Sequence, residues 1–416
     1  MSQSEHRIIV VGAGIVGIAT AALLSEAGHA VTVIDRSGIA EETSKGNAAA
    51  LAFSDILPLA SPKIMLKAPK WLIDPLGPLS VRPSYLPRLV PWLWQFWKAS
   101  LPSRFEASIA AQTSLMRLAE TEMMALVARA GLEAMIHHDG SLELYESEAE
   151  LKASLEGWRR REEAGIAFEH VRGDKLAALQ PGLSPQFVAG TYVPGWKTVS
   201  EPQHFAHNLW AYAKRHGAMF EKAEVSALER TVEGPALRLA DGSLRRARKI
   251  IVAAGAWSVR LIGARTRLQI PLETERGYNT SLPAGSFDLK RQLIFGNHGF
   301  VVTPLSTGVR VGGAVELAGL DLPPNYARSK AMLEKASRFL PGLKTSDGSE
   351  WMGFRPSIPD SLPVLGVLPE DPDVLLGFGN GHLGLTQSAA MGRLLADLVD
   401  GRQPAIDISA YRPDRF

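Results

Sequence analysis

The segment Ile8-Ile9-Val10-Val11-Gly12-Ala13-Gly14-Ile15-Val16-Gly17 constrains this 416-residue chain more than any other. An apolar run meets three glycines at fixed spacing, and a helical pattern follows through Leu24 and Ser25. A second apolar run, Val31-Thr32-Val33-Ile34, then ends on Asp35. Together these features predict a parallel β-α-β unit built to hold a dinucleotide. Gly12 permits the tight turn out of the first strand, Gly14 lets backbone approach a pyrophosphate, and Gly17 lets the helix pack closely on the sheet. The helix start at Ile15 and Val16 presents free N–H groups and the positive dipole end to phosphates. Asp35 is placed to accept both hydroxyls of an adenosine ribose, with Arg36 beside it.

The length exceeds what one average core supports and fits two interleaved domains. The expected division gives residues 1–60, 198–265 and 350–416 to a cofactor-binding domain, and 61–197 and 266–349 to a substrate domain. With no cysteine in the chain, disulfides, thiolate catalysis, iron–sulfur clusters, cysteine zinc sites and a cysteinyl-linked cofactor are excluded. A net charge of +2 and the absence of basic runs argue against a nucleic-acid partner. The polar N-terminal residues do not form a signal-peptide pattern. Apart from the glycine-motif helix, no apolar stretch reaches the roughly 18 residues of a membrane span.

After the β-α-β unit, Glu42-Thr43-Ser44-Lys45-Gly46-Asn47-Ala48-Ala49 forms a loop of small and hydroxylated residues. Such a loop lets a ring or phosphate lie against backbone. From Pro58 to Pro102 the chain is rich in Pro and Trp, including Trp71, Trp92, Trp94 and Trp97. Leu89, Trp92, Leu93, Phe96 and Trp97 recur at helical spacing, which reads as a short helix buried on a sheet in preference to a surface meeting a membrane or quinone. A long amphipathic helix is expected from Arg104 to Ala130, capped by Gly131. A strand is expected over 140–145, and a charged surface helix from Glu148 to Ala164.

Ser200 and Gln203 are spaced as a capping box. Glu201, His204 and His207 recur every third residue, but a helix start explains Glu201 better than a metal face does. Ala218 to Thr231, with Val225 inside it, reads as a strand. Asp241-Gly242 is a hairpin signal. Lys249 to Ser258 reads as a buried strand running into small residues and a turn, with Ala254, Gly255 and Trp257 beneath a bound cofactor. From Arg267 to Gly348 the pattern is β-rich, with one helix from Ser329 to Phe339.

Near the C-terminus, Gly377-Phe378-Gly379-Asn380-Gly381-His382-Leu383-Gly384-Leu385-Thr386 holds four glycines in eight positions and precedes an amphipathic helix. The spacing leaves room for backbone to lie flat against a ring, not for core packing. The helix aims its N-terminal dipole at a group that becomes negative, as reduced flavin does. Upstream, Arg355 sits in an apolar, Pro-rich frame. It either anchors a substrate carboxylate, held bidentately, or forms a structural salt bridge to Asp360 or Glu350, and spacing alone favours neither.

Together Val11 to Gly17, Val31 to Arg36, Glu42-Thr43-Ser44 with Asn47, Gly353-Phe354-Arg355-Pro356 with Asp360 and Pro363, and Gly379 to Thr386 resemble one flavoprotein family. It is the family of D-amino acid oxidases, glycine and sarcosine oxidases and bacterial D-amino acid dehydrogenases. The resemblance spans essentially the whole chain and is strongest to the small subunit of the bacterial dehydrogenases. It implies an α/β fold in which a Rossmann-like FAD-binding domain is interleaved with an α+β antiparallel-sheet substrate domain. It implies FAD as cofactor, bound non-covalently because the Thr43 to Ala50 loop has neither Cys nor His. It further implies Arg355 as the carboxylate anchor, Tyr278 as a second carboxylate donor and His382 beside the flavin, with His298 a weaker candidate.

The implied reaction is oxidation of a small D-amino acid by a dehydrogenase. Similarity of the Gly379 to His382 stretch and the tail to D-hydroxyproline dehydrogenases suggests a cyclic substrate, cis-4-hydroxy-D-proline or D-proline. The alternatives are a glycine- or sarcosine-type oxidase releasing hydrogen peroxide, and a flavoprotein subunit of a hetero-oligomeric dehydrogenase. The expected electron acceptor is a membrane quinone, replaceable by an artificial dye. The expected location is the cytoplasm, with peripheral contact at the inner face of the membrane.

Overall fold

A computed structural model of the chain describes residues 7–62, 77 and 79–416. The glycine-motif strand Arg7–Val11 lies near the middle of a six-stranded sheet. In spatial order the sheet runs Met219–Lys222, Ala30–Asp35, Arg7–Val11, Lys249–Val252, Asp371–Phe378, Val364–Leu368. The first five strands are parallel, and Val364–Leu368 is an antiparallel edge. These strands read as near-continuous apolar runs because both faces of the sheet are covered. The motif helix Ile15–Glu26 packs against the helices Pro202–Arg215 and Gly384–Val399 on one face. A small antiparallel sheet, Val225–Thr231, Gly234–Leu239 and Leu244–Arg246, packs on the other through Leu228, Leu237 and Leu239.

The second large unit is a nine-stranded sheet. Its main path runs Ser349–Ser357, Glu273–Pro283, Gly308–Leu317, Phe300–Leu305, Gln292–Phe295, Ser141–Tyr145, Ala189–Val193, Glu169–Arg172. Most of its pairs are antiparallel. Two are parallel: Gln292–Phe295 with Ser141–Tyr145, and Leu79–Val81 with Gly308–Leu317. The helix Ala327–Phe339 covers its far face through Met332, Ala336 and Phe339.

Several expectations are corrected. The boundary at 350 divides a strand of the second sheet: Ser349–Ser357 pairs along its whole length with Glu273–Pro283, so Arg355 belongs to that sheet. The long helix Pro102–Ala130, assigned to the substrate domain, buries Leu115, Ala119, Met123, Leu126 and Val127 in the same core as the motif helix. Its expected Gly131 cap is present, with φ +70°. The segment 218–231 is two strands in two different sheets. The cap of the helix Pro202–Arg215 is the Glu201 carboxylate, which accepts the His204 N–H at 2.8 Å, while Ser200 donates to the Met135 carbonyl. Among the described residues no group of three His, Asp or Glu could hold a metal.

The Trp-rich helix Leu86–Ala99 buries Leu89 and Trp92 against Leu317. Trp97, expected on that face, is exposed and stacks on exposed Trp94. Trp71 lies outside the described residues. Among the described residues no helix is long and apolar enough to cross a membrane.

Candidate functional site

A single cavity of about 1100 Å³ runs between the two large sheets. It extends from the glycine motif to the strand that carries Arg355. At one end, Gly12 has φ +109°, and a Cβ there would lie 2.4 Å from the Ala253 carbonyl oxygen. A Cβ on Gly17 would meet the Gly12 carbonyl at 2.0 Å, so Gly17 lies beneath the turn and does not line the cavity. Gly14, Ile15 and Val16 line it. The motif helix has no acid in its first turn and no side-chain bond from its own N-cap, Gly14; the Ser44 hydroxyl accepts the Ile15 N–H at 2.9 Å instead.

Asp35 also lines the cavity, but its carboxylate accepts three backbone N–H groups: Ala13 at 2.8 Å, Ser37 at 2.8 Å and Gly38 at 3.1 Å. The side chain thus shapes the two turns around the ribose end as well as facing it. This leaves less acceptor capacity than grip of both ribose hydroxyls by Asp35 alone requires. Arg36 lies 4.4 Å from the centre of the Trp257 ring. Val225, Ala254, Gly255 and Trp257 complete this end.

The loop at 42–50 is pinned by the second sheet. Thr43 donates to the Phe354 carbonyl at 2.8 Å, Asn279 donates to that of Gly46 at 2.7 Å, and Arg310 to that of Asn47 at 2.7 Å. Gln292 donates to the Ala48 carbonyl at 3.0 Å. A Cβ on Gly46 would lie 2.3 Å from the Trp351 ring, so only glycine fits there. Asn279, Arg310, Gln292 and Trp351 escaped the sequence reading, because nothing local to them reveals a loop more than two hundred residues away.

At the other end the strand Asp371–Phe378 stops at Gly379, where φ is +87°. Gly381, Leu385 and Thr386 line the cavity with Gly384, which starts the C-terminal helix. That helix has no acid in its first turn either. Thr386 ties this end to the loop: its hydroxyl accepts the Ala52 N–H at 3.0 Å. Gly377 is a correction: a Cβ there would meet Leu395 at 2.6 Å, so this glycine does serve core packing.

Arg355 lines the cavity and donates to the carbonyls of Ala314 at 2.9 Å and Gly313 at 3.3 Å. The guanidinium lies over Gly277, whose absent Cβ would sit 2.3 Å from Nη2. Burial pushes its pKa below the ordinary arginine value, and the charge of Glu275 opposes this. The two acids that could have neutralised it are engaged elsewhere. Asp360 pairs with Arg415 at 2.9 Å, and Glu350 accepts from Ser329 at 2.5 Å. Among the described residues no carboxylate forms an ion pair with Arg355.

Tyr278, expected as a second carboxylate donor, lines the cavity, but its hydroxyl is committed to protein partners. Its buried hydroxyl donates to Glu316 and accepts the Asn325 N–H at 3.0 Å. Burial and then the Glu316 bond push its pKa up to about 12. A backbone bulge between Arg276 and Tyr278 accompanies this orientation. His382 stands at the cavity edge and pairs with Asp55 at 3.0 Å. Burial alone would raise the Asp55 carboxyl, but the His382 bond and charge and the Arg161 charge together hold it below the ordinary aspartate value. His298 bonds Glu146 at 2.8 Å and does not line the cavity.

The residues present fit an FAD. Two helix N-termini without competing acids open on one elongated cavity, a carboxylate stands at its ribose end, and glycine backbone lines both ends. This complements a ligand with a central pyrophosphate and a ring that gains negative charge on reduction.

The chain is similar to known proteins in sequence and fold. The model of the family described as DAO, FAD dependent oxidoreductase, matches residues 7–398. A D-amino-acid oxidase of Bradyrhizobium diazoefficiens is 32% identical over 423 residues, covering 100% of both chains. The fold matches the crystal structure of glycine oxidase from Geobacillus kaustophilus with TM-score 0.76 and 22% identity, covering 99% of each chain. It also matches L-proline dehydrogenase from P. horikoshii with TM-score 0.75 and 19% identity, covering 99% of this chain and 98% of that one. The chain belongs to the DAO family of FAD-dependent oxidoreductases that act on amines and amino acids, and FAD is its cofactor.

Proposed function

We propose that this protein oxidises a small D-amino acid to its imino acid as a dehydrogenase, with non-covalent FAD. The observation that carries the reading is Arg355, a desolvated guanidinium facing the cavity whose bonds go to neutral carbonyls. A buried cation without a counter-ion is costly, and an incoming carboxylate supplies the missing charge. Bound between the two helix N-termini, FAD supplies the two-electron oxidising power.

Arg355 has five N–H donors, of which two are spent on Ala314 and Gly313, leaving a fork for one substrate carboxylate. Holding that group fixes the α-carbon against the oxidising ring, and positioning of this kind replaces much of the need for a protein base. His382, paired with Asp55, stands at the cavity edge where it orients the substrate amine. The α C–H bond breaks, the amine nitrogen loses a proton, and a C=N bond forms; the imine hydrolyses in water after release.

The D configuration is supported by the Bradyrhizobium relative, named as a D-amino-acid oxidase. A cyclic substrate, cis-4-hydroxy-D-proline or D-proline, is the favoured member of the class. Electrons pass to a membrane quinone, and the exposed Trp94 and Trp97 support peripheral contact with the membrane. The name of that same relative favours a second reading, an oxidase that passes electrons to oxygen and releases peroxide.

Dye reduction by the purified single chain, screened over D- and L-amino acids including cyclic and N-methylated ones, tests the assignment. Turnover restricted to L-amino acids refutes the stereochemistry. Rapid air reoxidation of substrate-reduced enzyme in stopped flow refutes the dehydrogenase reading in favour of the oxidase. Activity only after addition of another subunit refutes the single-chain reading.

A further inference from the structure

One acid on the cavity wall is unused by the reading above. Glu143 is the half-buried centre of the strand Ser141–Tyr145, whose other residues are buried. Strand pairing places it in a row that crosses the second sheet, and one stretch of that row runs Glu143, Ile294, Val301, Gly312, Asn279, Trp351. Residues in one such row share a face, and all six line the cavity.

Glu143 forms no ion pair among the described residues. The cation that acts on it, Arg161, is committed to Asp55 at 3.6 Å and to the carbonyls of Ser54 at 3.1 Å and Gly157 at 3.5 Å. Arg161 also stacks on Trp158 at 4.8 Å. Asp35 and Asp321, which line the same cavity, are held respectively by backbone N–H groups and by Arg260. Burial raises the Glu143 carboxyl, Arg161 opposes this, Asp55 adds to it, and the Tyr145 hydroxyl lowers it again. Glu143 is therefore an acceptor at the cavity wall that lacks a matching cation, as Arg355 lacks an anion.

The distance between the two groups has a definite scale. Three strand steps separate the strand of Glu143 from the one carrying Gly313 and Ala314, whose carbonyls the Arg355 guanidinium meets, and four separate it from the strand of Gly277, over which that guanidinium lies. The Glu143 side chain leans toward the turn that follows the neighbouring strand, since a Cβ on Gly296 would meet its carboxylate oxygen at 3.4 Å. Two to four steps of about 4.8 Å, less two hydrogen bonds of about 2.9 Å, leave roughly 4–13 Å for a ligand joining them.

From this placement we infer that Glu143 determines specificity. It receives a hydrogen-bond donor, an ammonium or a hydroxyl, on the side chain of the amino acid whose carboxylate Arg355 holds. The inference rests on the Arg355 reading given above. A hydroxyl donates to the carboxyl in either protonation state, whereas an ammonium pairs with the ionised form.

The test uses carboxylates that lack an α-amine and so cannot be oxidised: valerate, δ-hydroxyvalerate and δ-aminovalerate. Binding to the FAD-loaded enzyme is read by flavin difference spectra and calorimetry. The parent binds at least one donor-bearing probe about tenfold tighter than valerate, the scale of one charge-assisted hydrogen bond. Glu143→Gln abolishes the advantage of the ammonium probe and keeps part of that of the hydroxyl probe. Glu143→Leu abolishes both. Arg355→Lys weakens all three probes and leaves their ratios in place. Absence of any preference in the parent, or a preference that survives Glu143→Leu, overturns the role of Glu143. Valerate binding that Arg355→Lys leaves intact refutes the carboxylate anchor itself, whatever the ratios, and removes the footing of this inference with it.

Discussion

Replacing Arg355 with lysine tests the carboxylate anchor without removing its charge. The arginine divides its donors between two tasks, two bonds to the Ala314 and Gly313 carbonyls and a fork for the substrate. A lysine ammonium has three donors at a point, so it cannot hold both carbonyls and also meet a carboxylate with two parallel bonds. The loss of one charge-assisted hydrogen bond, about 1.5–3 kcal/mol, converts to roughly a 10- to 150-fold fall in kcat/KM. Misalignment of the α-carbon adds to that fall. FAD content should hold, because the FAD contacts proposed here come from other residues. The assay is anaerobic flavin reduction, with each amino acid compared against its amide. Amides are poor substrates of the parent and lose little further in the variant. Near-parental activity of Arg355→Lys, or an equal fall for acids and amides, would refute the reasoning and return Arg355 to a structural role.

Three further outcomes are expected. Gly277→Ala inserts a Cβ 2.3 Å from Arg355 Nη2, so it should displace the guanidinium, raise KM for carboxylate substrates and spare FAD content; unchanged KM contradicts the packing. Asp35→Ala removes the acceptor of three backbone N–H groups, so it should lower the temperature of FAD release and cost about 1–3 kcal/mol of stability; a changed substrate ranking at full FAD occupancy would contradict its remote position. Tyr278→Phe should leave carboxylate recognition in place, as shown by an unchanged acid-to-amide ratio. In the parent the folded Tyr278 keeps its proton up to about pH 12, whereas the unfolded one ionises near 10.0. Its contribution to stability is therefore complete below about pH 10 and lost as pH rises toward about 12. The thermal stability of Tyr278→Phe should fall less steeply across that window, and parallel curves would contradict this.

Much of the FAD end was legible because its signals are local. Gly12 needs its positive φ and Gly17 its bare face whatever else the chain does. The acid at Asp35 comes after a whole β-α-β unit whose period is written in consecutive residues. The αL cap at Gly131 and the Asp241-Gly242 turn were readable for the same reason. Other features depended on partners far away in the chain. The two strands within 219–231 read as one strand in the sequence, and only their neighbours assign them to different sheets. The role of Gly46 is set by Trp351, and the alternatives for Arg355 were separated only when Asp360 was found with Arg415 and Glu350 with Ser329.

By itself the sequence pointed to a dinucleotide along the first strand and helix, to a glycine turn at its other end, and to Arg355 in an apolar frame where a charge needs a partner. These follow from φ angles, absent side chains and the cost of an unpaired charge, which belong to a residue and its immediate neighbours. The tertiary structure decided which way each polar group faces. It took the Tyr278 hydroxyl away to Glu316 through a bulge, and it set Glu143 on the cavity wall, three strand steps from the carbonyls that Arg355 meets. The physical reason is strand register: a shift of one residue turns a side chain to the opposite face, and long-range pairing, not local composition, sets that register.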